Sequence, residues 1–81
     1  MAILNITYMG QSADYDLAVD HGTTDNDIRR IAVEVVRSGG ARGLHLPHLP
    51  ADAFASFVVD RLTGPRGEPR IYLRPKVPFG A

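Results

Sequence analysis

The sequence predicts an α+β fold in which one helix covers one face of a mixed four-stranded sheet, in the order ββαββ. Three observations carry the expectation. Residues 24–39, TDNDIRRIAVEVVRSG, hold a single apolar stripe at helical spacing. Two segments ahead of it alternate with the period of a strand, and two segments behind it are short, β-branched or aromatic runs bounded by glycine and proline. A single helix of this kind has to bury its stripe against a sheet, which gives a two-layer domain.

The helix is the most legible element. Ile28, Ile31, Ala32, Val35 and Val36 fall at i, i+3, i+4, i+7 and i+8, while Asp27, Arg29, Arg30, Glu34 and Arg37 take the other face. Thr24 followed by Asp27 approximates a capping box, with Asp in place of the usual Glu or Gln. Asp25 and Asp27 stand near the positive end of the helix dipole and Arg37 near the negative end. Gly39 and Gly40 supply a left-handed stop. Isoleucine and valine are mediocre helix formers, so packing has to hold this helix.

Ahead of the helix, Ala2–Met9 alternates with Leu4, Ile6 and Tyr8 on one side, and reads as a strand. Residues 10–13 read as a short connection. Asp14–Asp20 then alternates, with Tyr15, Leu17 and Val19 on one face and Asp14, Asp16 and Asp20 on the other, so the two strands should form a hairpin. Behind the helix, residues 39–43 are glycine-rich, and Leu44–Asp52, LHLPHLPAD, carries prolines at 47 and 50 that deny it a regular helix or central strand. Phe54–Leu62, FASFVVDRL, reads as a third strand, with a short helix starting at Asp52 as the competitor. Residues 63–69 form a polar turn with two glycines and two prolines, and Arg70–Arg74, RIYLR, reads as the fourth strand, with Ile71 and Leu73 on one face. Pro75 should end it, leaving residues 75–81 as an extended tail on a domain of residues 1–74.

Length and charge set the bounds. At 81 residues the chain is one domain, burying somewhat over ~60% of its unfolded surface. Nine basic residues balance nine acidic ones, so the field that nucleic-acid or membrane-surface binding needs is missing. With no cysteine, disulfides, thiolate catalysis and cysteine-ligated zinc are excluded. The first residues lack a basic n-region, and their apolar run breaks at Asn5, so neither a signal peptide nor a spanning helix is expected. The expectation is a soluble, monomeric, cytoplasmic protein.

Asp16–Val36, DLAVDHGTTDNDIRRIAVEVV, resembles ubiquitin from its second strand into its helix: apolar-x-apolar-acidic, a short turn, a Thr/Asp cap and an Ile/Val stripe. The proline-containing loop, FASFVVDRL and RIYLR follow in matching order, so the likeness covers nearly the whole chain and rests on pattern. The small bacterial ubiquitin-like proteins of unassigned role are the group it resembles most. The resemblance implies a β-grasp, with RIYLR returning beside the first strand. It also implies a non-enzymatic protein that acts through its C-terminal tail. Modifiers of this family, and the sulfur carriers of thiamine and molybdopterin synthesis, end in Gly-Gly, whose carboxylate an activating enzyme adenylates. This chain ends Phe79-Gly80-Ala81. A processing protease removing Ala81 would expose Gly80 as the attachment residue, with Pro75 to Phe79 filling the enzyme's channel.

Catalytic chemistry is thinly represented. His45 and His48 are spaced i, i+3, but Pro47 between them removes the helix that would make the spacing meaningful, so loop histidines are preferred to a zinc site. Ser12, Ser38 and Ser56 lack a nucleophile elbow. Asp14, Asp16 and Asp20 would spread over roughly 13 Å of strand, too far for one cation. The glycines of 39–43 follow a helix instead of opening one, the wrong polarity for a phosphate loop. Arg66, Arg70, Arg74 and Lys76 read as surface charge, with steering of an acidic partner as the functional alternative. No cofactor, metal or catalytic residue is therefore assigned.

Two features remain. Leu44, Leu46 and Leu49 exceed what a surface loop carries; two of them should seal the core, and exposed ones would form a partner patch. Val77 and Phe79 place apolar anchors on a proline-stiffened tail suited to docking in a groove. The expected function is a modifier or carrier presenting its tail, Gly80 included, to an activating enzyme. The alternatives are an unconjugated interaction module or accessory subunit, and a sulfur carrier.

Overall fold

Alternation along the chain, read above as strands, becomes a sheet whose inner face is lined by Ala2, Leu4 and Ile6 from β1 (Ala2–Tyr8) and by Ala13 and Leu17 from β2 (Gln11–Leu17). Helix α1 spans Asp25–Ser38, β3 spans Val58–Thr63 and β4 spans Pro69–Arg74. The computed structural model describes residues 2–18 and 22–76. The result is a small α+β domain: one helix against an open, mixed four-stranded sheet in the order β2-β1-β4-β3. β1 pairs β2 antiparallel and β4 parallel, with Leu4 beside Ile71 and Ile6 beside Leu73; β3 pairs β4 antiparallel.

The helix boundaries agree with their sequence signals. The Thr24 hydroxyl accepts from the Asp27 N–H at 3.1 Å, and the Asp27 carboxylate accepts from the Thr24 N–H at 3.1 Å, which closes the capping box. Gly39 ends the helix at φ 81 and donates its N–H to the Val35 carbonyl. Ile28, Ala32, Val35 and Val36 of the expected stripe are buried, and Ile31 is half-buried. Val33, outside that stripe, is buried as well.

Two element boundaries differ from the sequence expectation. β2 begins at Gln11, not Asp14, because Met9-Gly10 alone makes the turn and Tyr8 already faces Gln11. Both turn residues have positive φ, 50 for Met9 and 80 for Gly10, the signature of the type I′ turn whose twist suits a hairpin. The third strand begins at Val58, not Phe54. Residues 50–57 instead make successive short turns, with Ala53 N–H donating to the Pro50 carbonyl, Ala55 to Asp52 and Phe57 to Phe54. The reason lies in the spacing of the two phenylalanines. Three residues apart, they would face opposite sides of a strand, whereas a three-residue turn sends both into the core. Of the β2 residues expected beyond Leu17, Val19 and Asp20 lie outside the described residues.

The core follows from this arrangement. Leu4, Ile6, Ile28, Val36, Phe54 and Leu73 are its largest fully buried side chains. Phe54 and Phe57 pack on Tyr8, with the Phe54 ring perpendicular to the Tyr8 ring at 5.5 Å and the two phenylalanine rings 4.9 Å apart.

Candidate interaction surface

One end of the domain gathers most of what the sequence left unexplained. β1 ends at Tyr8 and runs into the Met9-Gly10 turn. Because β4 runs parallel to β1, with Leu73 beside Ile6, its last residue Arg74 emerges at that same end. Val58 pairs with Arg74, so the α1–β3 connection also arrives there. Hairpin tip, connection and tail base thus share one end of the molecule.

The connection, residues 39–57, is held to the helix by polar contacts that the helical stripe does not reveal. The Arg29 guanidinium donates through Nε to the Phe57 carbonyl at 3.0 Å, and Arg37 Nε donates to the Leu49 carbonyl at 2.7 Å. These arginines flank Val33 at i−4 and i+4, so a second helix face, not solvent, carries the row Arg29, Val33, Arg37. The carbonyls left open at the helix C-terminus are taken up too. Leu46 N–H donates to Val36 O at 3.0 Å, Gly40 N–H to Val35 O at 2.9 Å, and His45 Nε2 lies 3.1 Å from Arg37 O. The His45 ring covers Gly39 closely enough that a Cβ there would meet it at 3.4 Å.

Of the three loop leucines, Leu44 and Leu49 are buried and only Leu46 reaches the surface, at 36% exposure. Met9 is 81% exposed. Between them lies an open groove of ≈ 340 Å³ walled by Tyr8, Pro47, His48 and Pro50. A second hollow of ≈ 400 Å³ adjoins it, sharing Tyr8, Met9 and Leu46 and extending to Gln11, Gly43 and His45. Met9 takes the left-handed conformation at a turn position normally given to Asn, Asp or Gly, which costs a side chain of this type roughly 1–2 kcal/mol. Its exposure leaves no core contact to offset that.

The outer face of the sheet is the other open surface. Register places Asp14, Asn5, Tyr72 and Asp60 in one row across the four strands, and Asp16, Ile3, Arg70 and Leu62 in the next. Asn5 Nδ2 donates to Asp14 Oδ1 and to Ser12 Oγ, each at 2.8 Å. Arg74 pairs with Asp60, and Arg70 Nε with Glu68 at 3.3 Å. A shallow hollow of ≈ 260 Å³ lies over Asp60, Leu62, Tyr72 and Arg74. Glu68 is held below the ordinary carboxylate value, first by its own backbone N–H and then by those of Arg66 and by Arg70. Arg70 is held protonated, first by the Tyr72 side chain and then by Glu68.

His45 and His48 are both exposed on the connection, and His21 and Asp20 lie outside the described residues. Among the described residues no three His, Asp or Glu side chains gather as a metal site would require. The glycines of 39–43 sit at the C-terminal end of α1, as their order in the chain implies. Pro75 and Lys76 are exposed just past β4, while the tail residues Val77, Phe79 and Gly80 lie outside the described residues. No described helix is long and apolar enough to cross a membrane. Comparison with protein-family models, with curated proteins and with solved structures finds no match to this chain.

Proposed function

We propose that this chain is a small ubiquitin-like protein of β-grasp type, without catalytic activity, that works by presenting its C-terminal segment to partner proteins. The observation that carries the reading is the place of β4. It is an interior strand, parallel to β1 in the order β2-β1-β4-β3, so the chain leaves the fold from mid-sheet, beside the exposed Met9 and Leu46. A segment that emerges there meets any partner already seated on the apolar end. Gly80, once Ala81 is removed by a processing protease, is the attachment residue, and an activating enzyme is the first partner.

The exposed apolar end favours a second reading, an interaction module that is never conjugated. Either way the domain acts as a monomer. The edge strands β2 and β3 carry Asp14, Asp16, Asp60 and Arg61, and charged side chains on an edge disfavour the addition of a further strand. Mass spectrometry of N-terminally tagged protein recovered from its host cells, beside a denaturing blot, separates the readings. Higher-mass species that survive reductant and carry a Gly80 isopeptide remnant establish the modifier. A single species of intact mass ending in Ala81 establishes the module, and a thiocarboxylate increment on Gly80 establishes a sulfur carrier.

A further inference from the structure

We propose that the groove between Met9 and Leu46 is the seat of the chain's own C-terminal segment, with Val77 and Phe79 as its two anchors. The consequence for partners rests on the tail-presenting reading above, whereas the docking itself needs no conjugation.

Three observations carry it. The first is where the chain leaves the sheet. Leu73 stands beside Ile6 in the parallel pair, so Arg74 comes level with Thr7, next in sequence to the groove wall at Tyr8. Neighbouring strands lie about 5 Å apart, and an extended chain gains about 3.3 Å per residue. Val77 and Phe79 therefore reach roughly 10 Å and 17 Å from Arg74, enough to enter a groove that begins on the adjacent strand.

The second is the match of chemistry. The described walls of the groove are apolar or aromatic apart from His48. Beyond Lys76 the chain has no charged side chain, and its bulk is Val77, Pro78 and Phe79. Pro78 favours extended backbone at Val77, and on an extended chain residues two apart share a face, so both anchors point the same way. The neighbouring hollows suit this segment less. One is walled by the Asp60–Arg74 ion pair, and the other extends to Gln11 and His45.

The third is Met9 itself. Its backbone is left-handed at a turn position where Asn or Gly would sit without strain, yet its side chain is exposed. A flexible thioether at the groove rim adapts to an incoming apolar side chain, which gives this residue a contact to make. Little chain is ordered on docking, since Pro47, Pro50 and the Arg37 bond to the Leu49 carbonyl set the walls, and Pro75 and Pro78 stiffen the tail. A link this short holds the anchors at about millimolar effective concentration, so a weak contact suffices. A partner that grips residues 77–81 has first to release them, and its apparent affinity falls with the docked fraction.

The test uses the full chain ending in Ala81, with methyl groups and phenylalanine rings labelled for NMR. Cross-relaxation is expected between the Phe79 ring and the Met9 and Leu46 methyls, with shifts unchanged on about tenfold dilution. Val77→Ser combined with Phe79→Ser should move those two methyls and leave those of Leu62 in place. Met9→Asn is the paired variant. It should raise the melting temperature, because Asn tolerates the left-handed turn, while a nonspecific carboxypeptidase followed by mass spectrometry trims the tail about fivefold faster. The tail sequence is the same in that variant, so the trimming rate reads release alone. Absence of cross-relaxation between Phe79 and the groove overturns the proposal. So do contacts of Phe79 with Leu62 or Tyr72, contacts found only between differently labelled copies, and equal trimming of wild type and Met9→Asn. None of these outcomes alters the Gly80 mass measurement, so docking and conjugation fail separately.

Discussion

Helix α1 and the connection after it contribute equally to the core, five buried apolar residues each. Ile28, Ala32, Val33, Val35 and Val36 come from the helix, and Ala41, Leu44, Leu49, Phe54 and Phe57 from the connection. They are held in place by different means. The helix satisfies most of its backbone internally, with the Thr24–Asp27 box closing its start and Gly39 capping its end. The connection has only isolated turns, and it borrows donors and acceptors from the helix: Arg29, Arg37 and the carbonyls of Val36 and Arg37. Burial therefore does not track regular secondary structure in this domain. What the irregular segment lacks in ladder hydrogen bonds it gains from a regular neighbour.

The comparison breaks most readily at Phe54. If the connection is core in the same sense as the helix, Phe54→Ala should lower stability by about 3–5 kcal/mol in chemical denaturation, within the range of an Ile28→Ala change. A loss under about 1 kcal/mol would reduce the connection to a surface loop. A smaller effect is expected where the two regions join. Gly39→Ala places a side chain in left-handed backbone against the His45 ring, and should cost roughly 1–2 kcal/mol, with the amide of Leu46 losing hydrogen-exchange protection first. The smallest effect belongs to the helix start. Asp27 is held below its ordinary value, chiefly by the Thr24 N–H, then by the Thr24 hydroxyl and Arg30. A depressed carboxylate pKa contributes stability that is complete above the unfolded value and lost as pH falls through the native one. Melting curves of the wild type and Asp27→Asn should therefore differ near neutrality and converge in acid. A gap that persists in acid would assign the stabilisation to something other than the ionised carboxylate.

These differences also explain what could be read from the residues alone. The helix, its caps, the first hairpin and the inward faces of β1 and β4 follow from short-range patterns, since capping boxes and alternation are local physics. The start of β3 was not legible in the same way. FASFVV is as β-prone as a strand, and only the odd spacing of Phe54 and Phe57 signals that both rings must turn the same way. Arg29 and Arg37 fall on the face opposite the stripe in the sequence pattern, because their partners, the Phe57 and Leu49 carbonyls, lie 28 and 12 residues further along the chain. Of the surface proposed for binding, Leu46 was visible in advance as part of a leucine-rich loop. Met9 was not, since its position in the strand pattern concealed that it occupies a turn.

The parallel pairing of β1 with β4 has a mechanical consequence. The first strand begins at one end of the sheet and the last strand finishes at the other, while the two lie side by side. Tension applied between residue 2 and residue 76 therefore pulls these neighbours lengthwise past each other. Their ladder hydrogen bonds share that load together and do not open one at a time. A partner that grips the C-terminal segment and draws on it while the N-terminal strand is held would load this parallel pair in shear.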